Sequence, residues 1–253
     1  HFVAFWVLAG ARYGWPMVRV GVVNLIAAVL VLVAGSLPSG LEWIAHLALV
    51  VLLSGMALVY AAEPFSLIPS HFVERHGLAL IIVFGESIIA VGSGISGPAP
   101  AHVLAEAGLT LCLVIGLWLT YFARDDERAE TVMLATPESE RGRIALLGYW
   151  AAFAVMIGGV LMLAAGAKLH FGGRSSSDFG GWIAAGMALY LAGTAGFRAV
   201  MSIRGALGRL AGAGVALAIA VVPSRENAIA PLLLAVVLVV ALFALDIRMA
   251  EET

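Results

Sequence analysis

A carboxyl, Glu86, interrupts the apolar run Leu78-Ala-Leu-Ile-Ile-Val-Phe-Gly-Glu-Ser-Ile-Ile-Ala-Val-Gly92. Four ionisable residues, His71, Glu74, Arg75 and His76, stand just before it. At helical rise, Arg75 to Glu86 covers about 16 Å, half of a ~30 Å hydrocarbon core. Arg75, Ile82, Glu86 and Ser93 fall within about 20° on a helical wheel, so one stripe carries the polar groups. An acid at bilayer depth costs several kcal/mol unless it meets protein, water or a proton. An inward-turned Glu86 is therefore expected, either as a structural acid or as a proton or cation site, with Ser87 and Ser93 as its hydrogen-bond donors.

The groups before it admit three readings. Glu74, Arg75 and His76 form an interfacial helix start or a charged gate and relay leading to Glu86. A metal site of His71, Glu74 and His76 is the weakest, because His76 lies off the face shared by the other two. Asn24 and His46 are intramembrane polar residues, either satisfied within the bundle or part of a polar pathway. Glu42 and Glu106, near segment ends, are expected to be wet, and Arg198 and Arg209 to snorkel to an interface.

These groups need membrane helices to hold them. Of the 253 residues, 62% are hydrophobic and 12% charged, far from the roughly 25% charged of a soluble domain. Mean hydropathy is +1.03. About nine apolar segments follow: 1–10, 20–36, 41–60, 75–94, 103–123, 143–166, 180–202, 205–222 and 227–245. None alternates as a spanning strand would, so the expectation is an all-α, polytopic transmembrane bundle, one integral-membrane domain over 1–253. Prolines fall at segment ends and in loops. Gly208 and Gly212 make a small-xxx-small pair that suits packing within the bundle or, more sharply, self-association into a homo-oligomer.

With nine crossings, one side holds Arg12, Arg19, Arg75, Arg124, Arg128, Arg141, Arg143, Arg198, Arg204, Arg209 and Arg248. The other holds Lys168, Arg174 and Arg225, which completes the 14 basic residues. Such a bias places the first side, with the C-terminus, in the cytoplasm. The weakest crossings are the pair at 180–222. The mixed-sign stretch 124–143 reads as a charged cytoplasmic loop or a partner-docking surface. The chain begins at His1 inside an apolar run without a signal n-region, which reads as a fragment lacking its N-terminal part.

Several chemistries are excluded. A net charge of −2 gives no field for nucleic acid. One cysteine, Cys112, gives neither an intrachain disulfide nor a thiolate cluster, and reads as a packing residue. No nucleophile–base set and no His-Glu-x-x-His is present, so neither catalytic residues nor a metal or cofactor is assigned.

Phe72-Val-Glu-Arg-His-Gly-Leu-Ala-Leu-Ile-Ile-Val-Phe-Gly-Glu-Ser-Ile-Ile-Ala-Val-Gly92 closely resembles the signature of the bacterial low temperature requirement A (LtrA) family. Gly116-Leu-Trp-Leu-Thr-Tyr-Phe122 and Ala188-Leu-Tyr-Leu-Ala-Gly193 with Phe197-Arg198 resemble later motifs. The resemblance implies a multi-pass protein of the bacterial inner membrane, linked to growth or stress at low temperature. It assigns no roles to Glu74, Arg75, His76, Gly85, Glu86 or Ser87. The family's acidic-aromatic stretch near the N-terminus has no match. At Gly148-Tyr-Trp150 the residue after the tyrosine is often His in relatives, which weakens a relay through that helix. Three functions are open: a transporter or channel-like permease for a proton, ion or small solute; a membrane enzyme acting on a lipid or isoprenoid; or a non-catalytic sensor or scaffold. The bilayer is a partner under all three.

Overall fold

The computed structural model describes residues 11–38, 40–60, 68–95, 97–173, 179–222 and 228–251. The first expected segment, 1–10, lies outside them, as do Arg174 and Arg225. The chain divides into two compact units, His1–Pro64 and Phe65–Thr253. The first contains α1 (Ala11–Ser36) and α2 (Glu42–Tyr60), two helices packed on each other across the Gly40 turn, where φ is +96°.

The second unit contains α3 (Pro69–Gly94), α4 (Ala101–Phe122), α5 (Asp125–Ala135) and α6 (Glu138–Ile144). The chain then runs through a π-helical stretch, Ala145–Ala152, into α7 (Phe153–Phe171), followed by α8 (Phe179–Val200), α9 (Ala206–Ala218) and α10 (Ile229–Glu251). Local chemistry sets these bounds. Pro69 opens α3 behind an extended Ile68, and Pro100 and Pro137 stand immediately before α4 and α6. Asp125, Asp126 and Glu127 occupy the first turn of α5, where carboxylates complement the helix dipole. Lys168 and His170 occupy the last turn of α7.

α8 is the most buried span. It packs on α7, α9, α10 and the π-helical stretch, while α3 lies along α7 and α4 along α10. Lipid supplies no hydrophobic drive between helices, so close contact rests on small residues. A Cβ on Gly159 would stand 2.5 Å from the Tyr190 nitrogen, and one on Gly186 would stand 2.8 Å from the Gly159 carbonyl. The α7–α8 seam is therefore backbone against backbone. Gly212 is likewise closed in by Leu242 and Leu191, whereas open space surrounds Gly208.

The all-helical membrane architecture holds, with no strand among the described residues. The count of about nine segments does not. Among the described residues, five helical stretches are long and apolar enough to cross: Pro69–Gly94, Ala101–Ala135, Glu138–Phe171, Phe179–Val200 and Ile229–Met249. Ala206–Val221 is shorter. An apolar run in a sequence reports burial from water, in lipid or in protein, and so overcounts crossings. The stretch 124–143 is also not a loop: most of it is α5 and α6, and Asp125, Ala129 and Met133 of α5 are buried.

Candidate functional site

α3 places the motif residues on two faces. Val73, Gly77, Leu80, Phe84, Ser87 and Val91 are buried. Arg75, Ile82, Glu86 and Ser93 share the exposed face, as the wheel requires, but that face points out of the unit. Glu86 is thus exposed rather than turned inward, flanked by Ile82, Ile88 and Ile89. It makes no hydrogen bond or ion pair with a described residue.

The expected donors do not serve it. Ser87, one residue on, points into the core with its Oγ unpartnered, beside a cavity of about 10 Å³ lined by Thr110, Leu163 and Phe179. That space is no larger than about one water. The Ser93 hydroxyl reaches the Ala90 carbonyl at 3.5 Å. The sequence put Ser87 on the right helix but not on its own face, because adjacent residues diverge by about 100°.

Glu74, Arg75 and His76 do not converge either. Glu74 and Arg75 are exposed, with His71 Nδ1 at 3.7 Å from the Glu74 carboxylate. His76 turns inward, its Nδ1 2.8 Å from the Phe72 carbonyl. Its ring stands 4.2 Å from Phe72, 5.1 Å from Tyr149 and 6.1 Å from Phe153. Tyr149 and Tyr121 complete this aromatic box through Phe197, and both hydroxyls are buried. Tyr149 lies in the π-helical stretch, a distortion common at functional sites. Asn24 and His46 are exposed on α1 and α2. Among the described residues no group of three or more His, Cys, Asp or Glu is placed to hold a metal ion.

The densest polar assembly is one the sequence did not reveal. Arg198 near the end of α8 forks onto Asp125 at the start of α5, Nε to Oδ2 at 2.6 Å and Nη2 to Oδ1 at 3.1 Å. It also donates to both oxygens of Asp246 on α10, at 2.7 and 2.9 Å. Arg209 near the start of α9 donates to Asp246 Oδ2 and, at 3.3 Å, to the Thr120 carbonyl. Arg198, Arg209 and Asp125 are only 2%, 1% and 1% exposed. Two guanidiniums and two carboxylates neutralise one another, which is the condition for holding charges in a dry site. The arginines do not snorkel, since their partners lie inward. Arg209 Nε and Nη1 remain unpartnered.

A second polar fastener closes the other end of the unit. Glu106, 2% exposed rather than wet, accepts from the Ala228 amide at 2.7 Å and lies 2.8 Å from His170 Nε2. The His170 ring stacks on Phe179 at 4.1 Å and 7°. Glu106 thereby ties α4, the end of α7 and the Ala228 amide just before α10. The two fasteners fix the path of α9: Arg209 near its start is in one, and Ala228, after it, is in the other. Cys112, expected to pack, is exposed on α4 between them.

The pairings are remote in sequence, and the signal available was only the presence of four charges within or beside apolar runs. No curated protein and no solved structure matches the chain significantly. The family described as bacterial low temperature requirement A protein (LtrA) matches residues 1–245, so the apolar bundle with its Glu-Arg-His and Gly-Glu-Ser motifs on α3 belongs to the LtrA family of membrane proteins.

Proposed function

We propose that this chain is a transporter or channel-like permease for a proton, ion or small solute. The observation that carries this reading is the carboxyl of Glu86, exposed and without a partner among the described residues, midway along the apolar helix α3. Intramembrane acids that no structural partner claims are typical of ion and proton pathways. Glu74 and Arg75 mark the entrance on the same face, and His76 links that end of α3 to the aromatic box. The concentration of arginines at the end holding Asp125 and Asp246 supports a cytoplasmic placement for that end and for the C-terminus, in a bacterial inner membrane.

The test is flux in proteoliposomes holding the whole chain, followed with a pH-sensitive dye and a panel of monovalent ions. Wild-type protein is expected to carry flux above that of empty vesicles, and Glu86→Gln to lower it at least tenfold. Equal, pH-independent leak from both proteins rejects the reading. The outward exposure of Glu86 also suits an acid meeting a lipid-soluble substrate. That second reading, a membrane enzyme, predicts turnover of an isoprenoid or lipid without ion flux.

A further inference from the structure

Beside the ionic cluster, on the side of α5 and the 201–205 turn, lies a recess of about 370 Å³. Its volume falls in the range of about 300–1,000 Å³ usual for small-ligand sites. Its polar lining is Arg128, Thr131, Ser202, Arg204 and Asp246, over a floor that includes Met201 and Met249. The charge of Asp246 is balanced by Arg198 and Arg209, which engage both its oxygens. The arginines of the lining are differently placed. Arg128 stands 3.6 Å from Asp125, whose carboxylate Arg198 already satisfies, and its side chain is 36% exposed. Arg204 spends one Nη2 bond, at 3.3 Å, on the Met249 carbonyl. A guanidinium has five N–H donors, so both retain several for a ligand.

We infer that this recess is a binding site for a phosphate-bearing anion, held between the Arg128 and Arg204 guanidiniums with the Ser202 hydroxyl beside them. Planar guanidinium forks match phosphate oxygens in pairs, and charge-assisted bonds of this kind are the strong ones. The recess lies among the last turns of α10, the 201–205 turn after α8 and α5, at the arginine-rich end of the unit, and basic pockets between membrane helices take anionic lipids. The same chemistry would take a soluble phosphate ester. The inference is independent of any role for Glu86.

The experiment uses the full chain in neutral detergent, titrated with short-chain phosphatidylglycerol, short-chain phosphatidylcholine and inorganic phosphate, and read by intrinsic tryptophan fluorescence. Saturable binding of phosphatidylglycerol, but not of phosphatidylcholine, is expected. Saturation by phosphatidylglycerol alone identifies a lipid headgroup, and saturation by inorganic phosphate identifies a soluble ester. Arg128→Gln and Arg204→Gln, each at an accessible position, are expected to weaken the binding about tenfold or more. Either variant suffices if the other does not fold. Arg143→Gln, an exposed arginine outside the recess, is the control and is expected to bind as wild type. The inference is overturned by no saturable binding of either anion, by phosphatidylcholine binding as well as phosphatidylglycerol, or by the control losing as much as the recess variants.

Discussion

Asp246 accepts from two guanidiniums, so its removal leaves Arg198 half-paired and Arg209 with only the Thr120 carbonyl. Breaking a buried ion pair from one side costs about 3–5 kcal/mol, because the remaining charge stays desolvated. Asp246→Ala is therefore expected to lower unfolding free energy in detergent by about that much. Gly205 guards the same cluster sterically. Its φ is +87°, and a Cβ there would stand 2.8 Å from Arg198 Nη1. Gly205→Ala is expected to destabilise by about 1–3 kcal/mol through combined backbone and packing strain, read in the same denaturation assay. At this scale the sequence was least legible. Asp125 sat in a mixed-charge run and looked solvated, and Arg198 sat at a segment end and looked like a snorkelling side chain. What makes them a cluster is tertiary pairing between residues 73 and 48 positions apart, with no local trace. Glu86 was legible as an acid on a polar stripe, but a wheel fixes which residues share a face and not where that face points.

The turn after α8 shows how an element ends where function needs it. Ile203 N–H bonds the Arg198 carbonyl at 2.8 Å and Ser202 N–H bonds the Ala199 carbonyl at 3.3 Å, the paired bonds of a Schellman cap. The left-handed position, usually Gly, is Ser202 at φ +54°. A left-handed non-glycine residue costs about 1–2 kcal/mol, so Ser202→Gly is expected to raise thermal stability, by up to about 1 kcal/mol once glycine's extra unfolded-state entropy is counted. The seam between α7 and α8 gives the opposite sign. A side chain on Gly186 meets the Gly159 carbonyl and Leu163 at once, so Gly186→Val is expected to cost about 3 kcal/mol or more and to lower the yield of folded protein. Elements themselves were largely readable. The run from Arg75 to Gly94 lies within α3, and Pro69, Pro100 and Pro137 stand at helix starts, because breakers and apolar length act locally. The number of crossings was not readable, because α9 is apolar yet shorter than a span.

The two polar fasteners stand at opposite ends of the second unit, since Glu106 to Phe122 along α4 covers about 24 Å at helical rise. Each ties elements that the other also ties: α4 and α10 run between them, with Glu106 and the Thr120 carbonyl on one and Ala228 and Asp246 at the ends of the other. Sites so far apart, without a shared partner, normally add in stability to within about 0.5 kcal/mol. Glu106→Ala orphans the Ala228 amide and His170, at about 1–3 kcal/mol. If α4 and α10 are rigid rods, the double variant Glu106→Ala with Asp246→Ala is expected to lose the sum of the single losses. Transport requires something different of flux. A solute pathway that opens at one end while closed at the other makes the fasteners opposing latches, so weakening one shifts the population towards the conformer open at that end. The milder Asp246→Asn is then expected to change flux in one direction, Glu106→Gln in the other, and the pair to lie nearer wild type than either alone. Additive stability with additive loss of flux would instead mean that both fasteners are purely structural, holding a bundle that does not rock.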